Sequence, residues 1–530
     1  MANQDRPLIK RAGEGFLLNQ VSKIFEFGLT FLFSIILARG MGAEKLGIYA
    51  TVFTFCSLFT LASSFGFDEI LNTFIPKERN NPGRISFLTR RLILYRFGLL
   101  LVSAAAIYLL ADPIGAIFSP DAAQKSDLGR YLRLTVIFIV TGNLSGPFAA
   151  FFIGLLRMRV VALVRLVSAA INVFLAYIVL VQYKQAAFTN PMLLPPNEIG
   201  MTIGILTLSS IVALLIYVPI ALPRLLIKAE RFALRPLFSF GITLWLINFI
   251  NYVLSKQSDI MVLTLNRVGG AEIGFYHTAY NLSQSINTLL LAGLYGVSLA
   301  ALAEAEATKG RGALVHAWRF LIKLGSILSV PVMIWGMLYA FPLIRVTFGD
   351  EYIPAILPFI VYSAFGVLGR MLGGGTNITA MYVVGREKIA FLIRLCCGAL
   401  NLGLDIILIP IFKAMGAIVA TGGAGLILMV AELTLAKVVM KGRFPVLFTI
   451  KLTISCLVAA GASLIVPMDW ETPWFWQLAL SAVVYAVAFF AMLRLLRVVE
   501  EEDWELMGRL SPRLQWLVAK GLGYKNTLIK

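Results

Sequence analysis

Residues 42–49 read GAEKLGIY, and residues 269–276 read GGAEIGFY. Two glycines and the final tyrosine of the first stretch recur in the second, at an offset of about 227 residues. A second pair of stretches, RLVSAAINVFLAYIVL at 165–180 and RLCCGALNLGLDIILI at 394–409, repeats at an offset of about 229 residues. Because both pairs have nearly the same offset, we predict that the chain contains a duplicated structural unit.

The composition places both copies in a membrane. Of the 530 residues, 59% are apolar and 14% are charged, and the mean hydropathy is +0.84. A soluble domain carries about 25% charged residues. So many apolar side chains exceed what a water-soluble core can bury, and the excess has to face lipid. This composition excludes a soluble enzyme, a nucleic-acid regulator and a disordered scaffold.

Apolar windows of about 20 residues predict the transmembrane helices. The predicted spans are 16–38, 46–74, 90–111, 130–153, 160–182, 201–222, 237–265, 273–302, 313–341, 353–382, 387–410, 414–438, 445–466 and 475–497. With the repeat, these spans predict an all-α integral membrane protein with about 14 transmembrane helices, in two pseudo-symmetric six-helix lobes plus two C-terminal helices. The expected domains are the lobes at 1–222 and 223–440, the appended pair at 441–498, and a cytoplasmic amphipathic tail at 499–530.

Charge in the links between spans predicts the topology. The net charge is +18, and lysine and arginine gather in alternate links, whereas the other links hold acidic residues. By the positive-inside rule, both termini are expected in the cytoplasm. In a membrane protein this basic balance does not indicate a nucleic-acid partner.

We expect neither a metal nor a cofactor. The four cysteines lie in apolar runs without a CxxC spacing, and the chain has only two histidines. The links are also too short to fold a catalytic domain. The sequence therefore predicts a protein that is not an enzyme.

Four stretches resemble one family. They are ILARGMGAEKLGIY at 36–49, DIMVLTLNRVGGAEIGFYHTA at 259–279, FGDEYIPA at 348–355 and NLGLDIILIPIFKAMGAIVAT at 401–421. In this order they resemble the multidrug/oligosaccharidyl-lipid/polysaccharide (MOP) exporter superfamily and, within it, the Wzx-type polysaccharide flippases. The resemblance covers roughly residues 15–440. The link at 183–200 departs from the family pattern, being longer and rich in proline.

The resemblance implies two lobes around a central cavity in the bacterial cytoplasmic (inner) membrane. It also implies alternating-access movement of an undecaprenyl-pyrophosphate-linked oligosaccharide from the inner to the outer leaflet, for exopolysaccharide, O-antigen or capsule biosynthesis. The expected partners are that lipid-linked oligosaccharide and membrane lipids, with a polysaccharide polymerase as a further candidate. The alternative is a cation-coupled multidrug or metabolite antiporter of the same superfamily. More basic than acidic residues lie within the predicted spans, which favours an anionic substrate.

Charged residues at membrane depth are costly and indicate function. In the first span, Asn19, Lys23 and Glu26 share one helical face. This polar stripe predicts either a cavity-facing surface that binds substrate or a helix–helix seam closed by a Lys23–Glu26 pair.

The seventh span carries a second polar face, with Asn248, Asn251, Ser255 and Asp259 at helical spacing and Lys256 beside them. Asparagine and serine suit a hydroxyl-rich glycan. Asp259 is predicted to be either a counter-ion for Lys256 or a coupling site for a cation.

Three arginines are candidate anion contacts because guanidinium groups bind phosphate in bidentate fashion. Arg370, in the glycine-rich FGVLGRMLGGG of the tenth span, is the foremost candidate, and those glycines permit close packing or a break in the helix. Arg165 and Arg394 lie near the cytoplasmic ends of their spans. They either contact the pyrophosphate in the inner leaflet or extend to the membrane surface.

Overall fold

The computed structural model describes residues 6–118, 122–189, 197–466, 474–500 and 503, and their side chains except at 6–21, 122–126, 188, 288–297, 300, 308 and 309. All regular secondary structure in these ranges is helical, which confirms the predicted all-α class. The sequence-predicted amphipathic tail, from residue 504 onward, lies outside the described residues.

Helices follow one another with short connections. The helices up to residue 265 are α1 (Arg6–Ala62), α2 (Phe67–Phe74), α3 (Pro82–Phe118), α4 (Ala122–Gly154), α5 (Met158–Tyr177), a π-helical segment (Ile178–Tyr183), α6 (Lys184–Thr189), α7 (Glu198–Leu225), α8 (Arg235–Val253) and α9 (Lys256–Leu265). Those that follow are α10 (Gly270–Leu338), α11 (Ala340–Phe348), a 3₁₀ segment (Asp350–Ala355), α12 (Ile356–Met371), α13 (Thr376–Val383), α14 (Glu387–Met440), α15 (Val446–Ser463) and α16 (Trp474–Leu495).

The chain folds as two compact units. Unit 1 comprises Met1–Thr278 and Leu402–Ala417, and unit 2 comprises Ala279–Asn401 and Ile418–Lys530. The division into six, six and two spans predicted from the sequence stays a prediction.

Within the described ranges, eleven helices are long and apolar enough to cross a bilayer, so the protein is a multi-pass membrane protein. Three of the longest helices contain a non-helical residue, namely Gly42 in α1, Gly310 in α10 and Lys413 in α14. Each lies where the sequence predicts a link between two spans. The count of fourteen spans stays a prediction.

Three predicted spans are interrupted: the expectation of a continuous helix is wrong for two of them, and in the third the break is the one that the glycines beside Arg370 permit. The helix of 46–74 is interrupted between α1 and α2, that of 237–265 between α8 and α9, and that of 353–382 between α12 and α13. A hydropathy window of about 20 residues does not register such breaks because it averages the few serine and glycine residues at them with the apolar helices on either side. At two of these breaks, side chains donate hydrogen bonds to backbone carbonyls that lack a helical partner. Ser258 Oγ donates to the Val253 carbonyl at 2.6 Å, and Asn377 Nδ2 donates to the Leu372 carbonyl at 2.8 Å.

The two copies of the glycine motif pack against each other inside unit 1. A Cβ on Gly47 would lie 1.8 Å from the carbonyl oxygen of Gly270, and a Cβ on Gly274 would lie 2.0 Å from that of Ala43. Only glycine permits backbones to approach so closely. Gly47 and Gly274 therefore have a packing role at the contact between α1 and α10.

In unit 2, a buried tryptophan fixes the break between α12 and α13. Trp318 is fully buried, and its indole Nε1 donates to Asn377 Oδ1 at 3.0 Å. The same Asn377 holds the Leu372 carbonyl. The glycine turn at 373–375, where Gly373 and Gly375 have positive φ, is thereby anchored to the core.

Candidate functional site

A cavity of about 500 Å³ lies within unit 2, lined by residues of α10, α12, α13 and α14. Arg370 lines it from the last turn of α12 and is only 8% exposed. Its Nη1 donates to the Gly374 carbonyl at 2.7 Å, and its Nη2 to Asn287 Oδ1 at 3.0 Å. The break after α12 therefore positions a buried guanidinium group at the cavity wall.

Arg394 of α14 lines the same cavity. Its Nε donates to Glu432 Oε1 at 3.1 Å, and its Nη2 lies 3.1 Å from the same oxygen. Glu432 is 1% exposed and does not line the cavity. It therefore contacts Arg394 on the side away from the cavity. Two of the three arginines predicted as candidate anion contacts, in different spans, thus line one cavity.

The described lining of this cavity contains no acidic side chain. Its other polar groups are neutral: the lining includes Gln284, Asn287, Tyr362, Thr379 and Thr421. Gln284 Nε2 donates to the Tyr362 hydroxyl at 3.3 Å, and the Tyr280 and Tyr362 rings lie 4.8 Å apart. Positive charge with amides and hydroxyls suits an anionic, hydroxyl-rich ligand. Gln284 and Asn287 were missed by the sequence reasoning.

The first-span stripe belongs to unit 1. Glu26 Oε2 lies 3.8 Å from Arg165 Nη1, so Glu26 pairs with an arginine of α5. The predicted seam pair is therefore wrong in its partner: among the described side chains, no ion pair joins Glu26 to Lys23. Both pairing groups are about one-third exposed. The side chain of Asn19 lies outside the described residues.

The predicted polar face of the seventh span is also wrong, because the helix breaks at Ser255 and the four residues do not share one helix. Asn248 Nδ2 donates to Glu69 Oε1 at 2.8 Å, and Asn251 is exposed near the end of α8. Lys256 begins α9 and is partly exposed, and Asp259 lies one turn further along. The break therefore separates the two asparagines from the acid.

Asp259 is the centre of a buried acidic pair in unit 1. The Tyr276 hydroxyl donates to Asp259 Oδ2, and Ser258 Oγ donates to Oδ1 at 3.2 Å. Asp405 of α14 also hydrogen-bonds to Asp259, and both carboxyl groups are fully buried. Two adjacent buried carboxyl groups are held together by a proton that they share or by a bound cation. Asp405 was missed; its position four residues after Asn401 in NLGLD was the available signal.

Known proteins share this fold. The lipid II flippase MurJ in its inward closed conformation has a TM-score of 0.65 at 17% identity, covering 90% of this chain and 99% of its own. An inward-facing multidrug resistance MATE family transporter of the MOP superfamily has a TM-score of 0.62 at 12% identity, covering 77% and 94%. A MOP superfamily transporter from Pyrococcus furiosus, described by the reverse polarity of its binding pocket, has a TM-score of 0.54 at 13% identity, covering 81% and 96%.

These likenesses confirm the fold of the superfamily predicted from the sequence. No curated protein matches the chain. The family model described as "Polysaccharide biosynthesis protein" matches residues 36–357, more than half of the chain. With its multi-pass helical architecture, the chain belongs to this polysaccharide biosynthesis family and has the fold of MOP transporters and flippases.

Proposed function

We propose that this protein is a flippase that moves an undecaprenyl-pyrophosphate-linked oligosaccharide from the inner to the outer leaflet of the cytoplasmic membrane. The observation that carries the proposal is the cavity of unit 2, where Arg370 and Arg394 lie among neutral amides and hydroxyls. Membership of the polysaccharide biosynthesis family and the fold shared with the lipid II flippase support a lipid-linked substrate.

The chemistry of the cavity follows from what the substrate needs. A pyrophosphate entering hydrocarbon loses its hydration and requires fixed donors in its place. Arg370 supplies several N–H groups, and its guanidinium plane is already oriented by Gly374 and Asn287. Little side-chain entropy remains to be lost when an anion binds to such a preorganised group. Sugar hydroxyls can exchange hydrogen bonds with Gln284 and Thr379 on the same lining.

Reconstituted vesicles test this proposal. Purified protein in liposomes should translocate a fluorescent undecaprenyl-pyrophosphate oligosaccharide, read by quenching of the probe that reaches the other leaflet. Arg370→Gln should reduce the rate by about tenfold or more, and Arg370→Lys by less, since a lysine keeps the charge but loses the bidentate geometry. Arg443→Gln, at an exposed arginine of unit 2, is the matched control and should flip normally. Unchanged flipping by folded Arg370→Gln would contradict the proposal.

One observation favours the alternative of a cation-coupled antiporter. The Asp259–Asp405 pair is an acidic, membrane-embedded group of the kind that binds a proton or a cation. In a flippase, the same pair would bind the cation whose gradient drives the movement of the lipid-linked substrate. The two functions separate in one assay: vesicles loaded with a sodium or proton gradient should drive the lipid-linked probe but not an organic cation such as ethidium. Gradient-driven ethidium transport without flipping would establish the antiporter.

A further inference from the structure

A long groove runs along unit 1, away from both sites described above. It has a volume of about 1370 Å³ and lies between α1 and α5 with its π-helical extension. One wall consists of Leu29, Leu32, Ile35 and Ile36, which recur on one face of α1. From Leu29 to Gly40 the groove is about 16 Å long. That is about half of the roughly 30 Å hydrocarbon core, the depth of one leaflet.

The second wall is equally apolar and is open to the surroundings. Val173, Phe174 and Tyr177 of α5 line it, and Phe174 is 65% exposed. In a membrane-spanning helix, an exposed apolar face is solvated by hydrocarbon chains. The groove therefore offers one alkyl chain a surface on two sides.

Basic side chains gather at one end of the groove. Lys45 Nζ lies 2.9 and 2.8 Å from the two oxygens of Glu198, and Lys184 Nζ lies 3.3 Å from one of them. Arg39 lines the same end and is exposed. Two lysines thus share one carboxylate, and the charged residues that line the groove are three cations and one acid. Both lysines are close to half exposed, so their remaining N–H donors are accessible to an anion.

The backbone builds this end of the groove. The π-helical turn at Ile178–Tyr183 directly precedes Lys184, and such turns occur frequently at functional sites. Lys184 Nζ donates to the Gly40 carbonyl at 2.6 Å. A Cβ on Gly40 would lie 2.6 Å from Leu180 Cβ, so glycine allows α1 to touch the π-helical segment. This contact closes the apolar groove beneath the basic cluster.

We propose that this groove binds an anionic phospholipid of the membrane, with one acyl chain between α1 and α5 and its phosphate against Arg39, Lys45 and Lys184. An apolar channel one leaflet deep that ends in excess positive charge matches the order of chain and phosphate in such a lipid. The charge excess selects an anionic headgroup over a zwitterionic one. On the predicted topology, the links at 39–45 and 183–200 face outward, so the lipid belongs to the outer leaflet. The inference does not depend on which substrate the protein transports.

Photolabelling of the full-length protein tests this assignment. The protein is placed in nanodiscs containing either phosphatidylglycerol or phosphatidylcholine with a diazirine on the acyl chain, and labelled peptides are identified by mass spectrometry. We expect phosphatidylglycerol to label peptides from 29–40 and 170–181 about fivefold more than phosphatidylcholine does. Equal labelling by both probes, or labelling of other segments only, would overturn the proposal.

Charge variants decide whether the basic cluster selects the lipid. Arg39→Gln leaves the Lys45–Glu198–Lys184 contacts in place and should lower the preference for phosphatidylglycerol about fivefold. Glu198→Gln removes the one acid among the residues that line the groove and should raise the preference. An unchanged preference in both folded variants would refute the phosphate contact. If equimolar undecaprenyl phosphate abolishes labelling by phosphatidylglycerol, the occupant is a polyprenyl lipid and the phospholipid proposal is wrong.

Discussion

Lys323 Nζ lies 2.9 Å from Asp503 Oδ2, although Lys323 is in a spanning helix and Asp503 follows the last one, α16. Glu500 Oε2 lies 2.6 Å from the same ammonium group, and the Glu500 backbone amide donates to Asp503 Oδ2 at 3.0 Å. Lys323 is almost fully buried. Acidic residues at the start of the tail therefore neutralise a lysine inside unit 2.

Removing the buried acid should destabilise the protein. Asp503→Ala leaves the ammonium of Lys323 with Glu500 alone, and we expect the apparent free energy of unfolding to fall by about 3 kcal/mol. Tryptophan fluorescence during denaturation in detergent micelles measures this change. Glu500→Gln should cost less, because that carboxylate is half exposed. The pair Lys323→Met with Asp503→Leu should regain most of the loss, and an unaltered stability of Asp503→Ala would refute the contact.

The same contact predicts a pH dependence. The hydrogen bond from Lys323 holds the pKa of the Glu500 carboxyl below its ordinary value, in a segment outside the spanning helices. A depressed folded-state pKa gives stability that is present above the unfolded-state pKa of about 4.3 and is lost as the pH falls through the folded-state value. Thermal unfolding of the wild type between pH 6 and pH 3 should therefore occur at lower temperature toward the acidic end. Glu500→Gln should show a shallower decline; an identical decline would contradict the shift.

The sequence predicted the helical membrane architecture because lipid imposes a strong and local signal, namely runs of about 20 apolar residues. It also singled out Arg370 and Arg394 as candidate anion contacts, since charge at membrane depth is rare. It did not predict that both line one cavity, because that depends on the break after α12.

The sequence also did not predict which charged side chains pair between different helices. The partner of Glu26 is Arg165, of another helix, and the partner of Lys323 lies about 180 residues further along the chain. Helical spacing reveals neighbours on one helix face and carries no information about facing helices. The interruption at Ser255 was hidden for another reason: its hydroxyl satisfies the Tyr252 carbonyl locally, without a proline or glycine to mark the break.

A second test of the cavity uses a variant that is expected to strengthen anion binding. Glu432 partly neutralises Arg394, so Glu432→Gln should make the cavity more positive. We expect the apparent affinity for the fluorescent pyrophosphate-linked probe to rise about fivefold, equivalent to about 1 kcal/mol. Titration of probe binding to protein in micelles measures this affinity. Arg394→Gln with Glu432→Gln should bind more weakly than the single variant. Unchanged or weaker binding by folded Glu432→Gln would contradict the expected gain in affinity.

The glycine motif provides a final prediction because its two copies meet in the structure. Gly47→Ala places a methyl group 1.8 Å from the Gly270 carbonyl, and Gly274→Ala places one 2.0 Å from that of Ala43. Backbone atoms cannot yield as a flexible side chain can, so each variant should lose at least about 3 kcal/mol of stability.

Gly269→Ala is the matched control for these variants. It is the first residue of the second copy of the motif, but nothing lies within 4 Å of its added Cβ. Size-exclusion profiles and thermal unfolding of the three variants should show loss of folded protein for Gly47→Ala and Gly274→Ala only. If all three behave alike, the loss comes from the changed helix propensity or the chain entropy of the turn. If Gly269→Ala alone is stable, Gly47 and Gly274 are required because the backbones of α1 and α10 touch at these two positions.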